Sequence, residues 1–463
     1  MPAPGQRVAV IGGGIAGLTA ALAVSRAAPA GTHLTVLEAS SELGGKLHTS
    51  DFAGLPVEEG AEAFLVRRPE ALTLARDVGL GSDLVGPATL AAWVWSRGRL
   101  RPLPPRTVLG VPTDVRTLDG VVSPRGRARA LADLLLPRTQ LGTDVAVGRY
   151  VAARLGPEIV DRLVDPLLGG VYSGRAADLS MAVAVPDLMR AVRRDRSLLR
   201  AARAAHRPPQ NGPVFQTVAG GLARLVAAVA EASSAEVRTN AVVRELRRTP
   251  SGWRLVVGSA AAPEVVLVDG VVLAVPAAPA ARLLAPDLPR AAAELAAVDY
   301  ASVAVVTLAY PSAAPVAGSG LLVPAVEGRL VKAVTFASAK WPHLAADSGL
   351  HILRCSIGRH GETADLQRDD PELARAAAEE VASLTGQRGW PVATRVTRWG
   401  GGLPQYAVGH LDRVARIRAA AALQPRLAVA GAAYDGIGIP ACIASGERAG
   451  QQVAAALSAA QSA

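Results

Sequence analysis

The chain has 463 residues and a formal net charge of +10, with 49 Lys and Arg against 39 Asp and Glu. That length exceeds what one hydrophobic core spans and predicts two or three intertwined domains. Hydrophobic residues make up 50% of it and aromatics only 3%, so stacking platforms for bases are scarce, and with no recognition motif present a nucleic-acid partner is not expected. Cys355 and Cys442 fit no metal-ligand spacing, which predicts no metal site and two structural thiols in a reducing compartment. The N-terminal apolar stretch lacks a basic leader with a cleavage site, and no apolar run reaches about 18 uninterrupted residues. A cytoplasmic protein is expected, with at most peripheral contact to the inner face of a membrane.

The first predicted element is a short buried strand, residues 8–11, running into Gly12-Gly13-Gly14-Ile15-Ala16-Gly17 and an Ala/Leu-rich helix. Gly12 suits a tight turn, Gly14 lets the backbone approach a pyrophosphate, and Gly17 lets the helix pack closely on the strand. The pyrophosphate would sit on the helix N-terminus. A second strand, residues 34–37, ends on Glu38 and Ala39, where a carboxylate can accept hydrogen bonds from a ribose diol. Strand, glycines, helix, second strand and acid together predict the adenosine half of a dinucleotide site. The continuation Gly44-Gly45-Lys46 adds a second close backbone approach followed by a cation, which points to a longer, two-lobed cofactor, FAD rather than NAD.

Residues 87–210 read as a mostly helical lobe with long loops. Arginines concentrate there at 97–106 and 125–129, and again from Arg190 to Arg203. Either group could attract a polyanion, but the second is spaced along an apparent helix and reads first as a solvated face. From 211 the chain returns to the nucleotide fold, with Gly220-Gly221 before a helix, a strand reaching Val243, and a buried strand over 268–276. Residues 298–362 alternate β-branched segments with turns, as an antiparallel sheet would, and an amphipathic helix is expected over 370–385. The last segment supplies a strand at 427–431 and a helix from Pro440 to Leu457, with proline at a favoured first-turn position. The expected fold class is α/β: a Rossmann-type FAD-binding domain (1–66, 211–280, 395–463) interleaved with a β-sheet substrate domain (67–86, 281–394) and the helical lobe.

Several motifs beyond the fingerprint carry a resemblance. Gly60-Ala61-Glu62-Ala63-Phe-Leu-Val-Arg67-Arg68-Pro69 is similar to the flavin-ring loop of bacterial porphyrinogen oxidases, and Asp165-Pro-Leu-Leu-Gly-Gly-Val-Tyr-Ser-Gly174 to their central motif. Lys340-Trp341-Pro-His343, Leu403-Pro-Gln-Tyr406 with Gly409-His410, and Tyr434-Asp-Gly-Ile437-Gly438-Ile439-Pro440 complete the series. The chain thus resembles, along its whole length, the porphyrinogen oxidases of the flavin amine oxidase superfamily. The resemblance implies FAD held by the fingerprint, by Gly45 and Lys46, by the 60–63 loop, and by Val243, Trp399, Gly431 and residues 437–439. It also implies that the last helix points its N-terminus at the pyrimidine edge of the flavin, where reduction leaves negative charge that a helix dipole stabilises.

The reaction so implied is oxidation of a porphyrinogen to a porphyrin, six electrons leaving in three rounds, with molecular oxygen as acceptor and hydrogen peroxide as product. The flavin carries the hard chemistry, so no catalytic base is assigned. Arg68 is the expected propionate anchor, since a guanidinium grips a carboxylate bidentately. Two substrates compete: coproporphyrinogen III with four propionates, toward which the positive charge and the likeness to soluble Gram-positive enzymes lean, and protoporphyrinogen IX with two. A ferrochelatase is the implied downstream partner, although no docking motif is present. A flavin amine oxidase, with Tyr434 as its one obvious aromatic beside the flavin, and a non-enzymatic escort protein of the same fold are the other readings.

Overall fold

The computed structural model describes residues 5–207, 212–313, 315–344 and 349–461. The expected domain boundary at 210/211, and the expected ends at 1 and 463, lie outside them. Five parallel strands form the first sheet: β1 (Arg7–Ile11), β2 (His33–Leu37), β3 (Glu236–Arg238), β4 (Gly270–Leu273) and β5 (Leu427–Val429), in the order β3-β2-β1-β4-β5. β4 and β5 are buried at every position and β1 at all but its first, as expected of parallel strands covered on both faces. On one face, α1 (Ile15–Ala27), α2 (Ala223–Ser233) and α3 (Ile439–Gln461) share a core that includes Leu18, Val24, Leu225, Val229, Val453 and Leu457. On the other, a three-stranded antiparallel sheet of Val243–Arg248, Trp253–Gly258 and Pro263–Val268 packs Leu246 and Leu255 into a cluster with Ile11 and Leu37.

The second sheet has seven strands, in the order Ala393–Pro404, Tyr300–Tyr310, His351–Ile357, Val331–Phe336, Gly320–Leu322, Ala92–Ser96, Arg99–Pro102. All neighbours are antiparallel except Gly320–Leu322 on Ala92–Ser96. The helix Asp370–Thr385 covers one face, burying Leu373, Ala377 and Val381 against Val306, Leu308, Val334 and Leu353. It is capped by the Asp369 side chain, which accepts from the Glu372 N–H at 2.8 Å, and it stops at Gly386 in the left-handed region.

Two stretches differ from the expected division. Residues 92–102 form a hairpin of the seven-stranded sheet rather than the start of the helical lobe, because Ala92-Trp-Val-Trp-Ser96 is rich in strand formers and finds an open edge beside Gly320–Leu322. The last FAD segment is expected to begin at 395, but that position lies inside the strand Ala393–Pro404, which belongs to the same sheet and pairs with Tyr300–Tyr310. The helical lobe proper, from Pro124 to Ala205, has its own core around Tyr150, Leu163, Leu168, Leu188 and Leu199. At its centre Arg154 Nε donates to Asp133 Oδ1 at 2.6 Å, and Asp133 Oδ2 accepts from Ser197 Oγ at 2.6 Å, with both charged side chains shut off from water. The Arg190–Arg203 cations are mostly spent locally: Arg190 pairs with Asp187, while Arg193, Arg196 and Arg203 donate to the carbonyls of Thr143, Leu134 and Thr113. These contacts tie loops to the lobe.

Candidate active site

The fingerprint residues converge at the N-terminus of α1. Gly12 has φ +108° and its N–H donates to the Leu37 carbonyl, so the chain turns sharply where β1 ends. A Cβ on Gly17 would lie 1.9 Å from the Gly12 carbonyl oxygen, so only glycine lets α1 approach the turn. Gly14 is the opposite case: the nearest atom to its Cβ would be the Gly44 oxygen at 3.9 Å, and its φ of −72° suits any residue. Gly45, whose Cβ would meet only the Gly14 Cα at 3.7 Å, and Gly431, whose Cβ would meet nothing within 4 Å, likewise face open space. Gly14 and Gly45, side by side, leave an open trough above the first turn of α1, which no side chain caps, and Gly431 leaves open space after β5. A diphosphate fits that trough, with backbone N–H groups and the helix dipole turned toward it.

Lys46 stands beside the trough. Burial pushes its pKa down, and its ammonium makes no hydrogen bond or ion pair among the described residues, leaving it free for a phosphate oxygen. Glu38 accepts from the Gly13 N–H at 2.6 Å through Oε2, and from the Ser40 N–H and Oγ, each at 2.8 Å, through Oε1. Ala39 follows directly. Ile437 and Gly438 lead into α3 at Ile439, and the Gly431 N–H donates to Ser445 Oγ at 3.2 Å. Val243 is buried in the core with Leu37 and Ile11.

The 60–63 loop is fixed from three sides. The Ala61 N–H donates to the Lys46 carbonyl at 3.1 Å, Trp399 Nε1 to the Glu59 carbonyl at 3.0 Å, and Arg354 Nη2 to the Gly60 carbonyl at 2.7 Å. Glu62 is held between two cations, pairing with Lys340 Nζ and accepting from Arg354 Nη1 at 2.7 Å. Burial alone would raise its pKa, but the two cations outweigh that and hold it below the usual carboxylate range. Glu58, next to the loop, goes the other way: burial raises its pKa to about 7 despite hydrogen bonds from the Leu222 N–H at 2.6 Å and Thr49 Oγ1 at 2.9 Å. An acid whose folded pKa lies above its unfolded one favours folding at low pH and loses that advantage as pH rises through about 7. Glu58→Gln is therefore expected to match wild-type stability near pH 4 and to exceed it by about 3 kcal/mol at pH 8, as read by urea unfolding at the two pH values.

Arg68 donates to Glu70 through both Nε and Nη2 at the loop's exit. Its neighbour Arg67 is exposed and makes no ion pair or hydrogen bond among the described residues, while its positive charge acts on Tyr172 of the central motif. Tyr406 and His410 do not line a cavity. The Tyr406 hydroxyl donates to the Ala432 carbonyl and His410 Nε2 to the Tyr434 carbonyl at 3.0 Å, with both residues fully buried. They prop the segment that precedes α3, because that segment must be rigid and has no regular structure of its own. Tyr434 is also fully buried, in the cluster behind the sheet, and is no aromatic wall for a substrate. No group of three metal-ligating side chains occurs among the described residues, and both cysteines are free and buried.

Comparison with known proteins agrees with this geometry. Residues 15–454 match the family of flavin containing amine oxidoreductases. The chain is 39% identical to the coproporphyrinogen III oxidase of Mycobacterium tuberculosis across 97% of its own length and 98% of the relative's. The chain belongs to the FAD-dependent porphyrinogen oxidases. It is also 32% identical to the coproporphyrinogen III oxidase of Bacillus subtilis, over 96% of this chain and 97% of that one. A crystal structure from Exiguobacterium sp. 255-15, provisionally named a protoporphyrinogen oxidase, superposes with a TM-score of 0.86 at 30% identity, covering 97% of this chain and 99% of that one. This porphyrinogen oxidase is a flavin oxidoreductase whose cofactor is FAD, and the trough and Lys46 suit that cofactor.

Two participants escaped sequence reasoning. Arg354 lies in a strand with no motif around it, and only the pairing of that strand brings it under the 60–63 loop. Lys332 is buried, with Nζ donating to Ser173 Oγ and to the Gly358 carbonyl at 2.5 Å each, and burial lowers its pKa to about 7. It ties the central motif to the seven-stranded sheet. That lysine is one of only three in an arginine-rich chain is the single hint the sequence carries.

Proposed function

We propose that this enzyme oxidises coproporphyrinogen III to coproporphyrin III in haem biosynthesis, with molecular oxygen as the final acceptor. Six electrons leave in three rounds, and hydrogen peroxide is released. The observation that carries this reading is the 39% identity over nearly the whole chain to a relative named for that substrate. Bound FAD supplies the hydride-accepting ring. The chain's own residues hold and orient: the N-terminus of α1, Gly45 and Lys46 bind the diphosphate, Glu38 the ribose, and residues 60–63 with Trp399 support the ring. The N-terminus of α3 offers N–H groups and a positive dipole end to charge at the pyrimidine edge. The amine oxidase reading loses its support because Tyr434 is buried behind the sheet.

Anchoring of the propionates falls to Arg68 at the exit of the flavin loop, beside Arg67, whose charge reaches Tyr172 of the central motif. Arg68→Ala is expected to raise KM about tenfold with kcat little changed, the cost of one charge-assisted contact at an exposed site. An unchanged KM would remove Arg68 from the site. Among the described residues no helix is long and apolar enough to cross a membrane. Contact with the membrane face is read as peripheral, and delivery of product to a ferrochelatase as transient. The test of the reaction is aerobic porphyrin fluorescence with coproporphyrinogen III and protoporphyrinogen IX in parallel. A higher kcat/KM for the tetracarboxylate is expected, and preference for the dicarboxylate or inertness toward both overturns the assignment.

A further inference from the structure

Behind the flavin loop lies a small cavity of about 10 Å³, measured as the space open to the centre of a water-sized sphere. That is about the volume one water needs, given polar partners. Its walls include Glu58, Glu62, Trp341, His343 and Arg354. Three polar atoms of those residues have no partner among the described residues: Trp341 Nε1, Arg354 Nε and His343 Nδ1. Trp341 and Arg354 are 2% and 8% exposed, so their orphaned N–H groups cannot turn to solvent. Arg354 has already committed both terminal nitrogens, to Glu62 and to the Gly60 carbonyl, which aligns its guanidinium and leaves Nε facing inward. Orphaned donors in a buried pocket cost about 1–3 kcal/mol each, so their convergence on one cavity calls for an occupant that accepts from both.

We propose that this cavity holds one ordered water that links Glu58 to His343, giving a carboxyl buried beside the flavin loop a proton path to the surface. The valences match. The water accepts from Trp341 Nε1 and Arg354 Nε, and donates to a Glu58 oxygen and to His343 Nδ1. Each Glu58 oxygen already accepts one hydrogen bond, from the Leu222 N–H or Thr49 Oγ1, and each keeps a second lone pair. His343 is half-buried, and burial lowers its pKa, so its ring is neutral near pH 7 and Nδ1 can accept. For transfer, the Glu58 O–H takes the place of one N–H donor on the water. The water passes one of its own protons to His343 Nδ1, and the imidazolium releases Nε2–H to solvent. One proton leaves, no electron moves, and Glu58 is left as carboxylate.

The charges facing Glu58 are Arg354, which favours the carboxylate, and Glu62, which opposes it. Lys340 stands beyond, paired to Glu62 and lying 5.1 Å over the Trp341 ring. With the Lys340 and Arg354 charges taken up by Glu62, Glu58 is the carboxyl of the loop free to change protonation near neutrality. Its use rests on the porphyrinogen reading: each hydride removed from the ring system is accompanied by loss of one proton from a nitrogen or a meso carbon, and formation of hydrogen peroxide takes one up. A proton store beside the flavin loop serves both.

Infrared spectroscopy of the FAD-loaded enzyme on dilution into D₂O at pH 6 needs no substrate, so it can fail while the porphyrinogen assignment stands, and the reverse. The wild type is expected to show a protonated carboxyl band that is absent in Glu58→Gln and that shifts to its deuterated position within the mixing time. In His343→Phe the same band should shift at least tenfold more slowly. Trp341→Phe, which keeps an aromatic ring at this position and removes one donor, should slow it as well. A high-resolution crystal structure of the holoenzyme should place a water within about 3.2 Å of Trp341 Nε1, Arg354 Nε and His343 Nδ1. A band that survives Glu58→Gln, undiminished exchange in both other variants, or a dry cavity overturns the proposal.

Discussion

Gly14→Ala is expected to give a folded protein that no longer retains FAD, whereas Gly17→Ala, three positions on in the same fingerprint, is expected not to fold. The difference comes from what a methyl group would meet. At Gly17 it would lie 1.9 Å from the Gly12 carbonyl oxygen, and that backbone cannot yield, because the Gly12 N–H is bonded to Leu37 at the end of β2. Displacing α1 there would open the largest core of the nucleotide domain, where Leu18 and Val24 are buried. At Gly14 the methyl would project into the trough, with its nearest protein neighbour 3.9 Å away, and the backbone already has an alanine-compatible φ of −72°. The protein loses nothing, but the diphosphate loses its approach to the first-turn N–H groups. Two charge-assisted hydrogen bonds forfeited there correspond to about a hundredfold or more in FAD affinity. The check is flavin content by absorbance and FAD titration of the apoprotein, beside circular dichroism of both variants. A yellow Gly14→Ala protein with ordinary affinity would remove the trough as the diphosphate site.

Glu62→Gln is expected to destabilise the protein by about 3–5 kcal/mol in urea unfolding, and to loosen the hold on the flavin. The side chains of Glu62, Lys340 and Arg354 are 18%, 17% and 8% exposed, so the variant strands two cations away from water. Arg354 also holds the Gly60 carbonyl, so its displacement carries straight into the 60–63 loop. Since the cations hold the Glu62 pKa below its ordinary value, its contribution is present in full above the ordinary carboxylate range and is lost as pH falls through the lowered one. The gap between wild type and variant should accordingly narrow in acid. Adding Lys340→Gln to Glu62→Gln should recover part of the loss, because one stranded cation is then gone. A cost under about 1 kcal/mol would mean that solvent screens the cluster as it does a surface pair.

Several features were legible before any fold was known, and for one reason: they are local. The strand, turn and helix at 7–27, the acid at Glu38, the helix Asp370–Thr385 with its Asp369 cap, and the proline-led start of α3 all depend on neighbours close in sequence. Backbone geometry demands glycine at a sharp turn wherever the rest of the chain goes. Side-chain periodicity likewise marks a helix face whatever that face packs against.

What tertiary structure alone decided is long-range pairing. Residues 92–102 join the seven-stranded sheet because Gly320–Leu322 offers them an edge, more than 200 residues away in sequence. The partners of Glu62 arrive from two other segments, and their approach turns an ordinary loop carboxylate into the centre of a buried ion cluster. Tyr434 reads as a substrate-side aromatic in the sequence, because a polar aromatic near a flavin motif looks functional, yet packing sends it inward, together with Tyr406 and His410. The same holds for Arg354, Lys332 and the small cavity of Trp341 and His343. The sequence by itself determined which cofactor this chain is built to hold, since a diphosphate is bound by contiguous backbone. Only the tertiary structure decided the electrostatics around the flavin loop, because burial and charge pairing are properties of residues that the fold brings together.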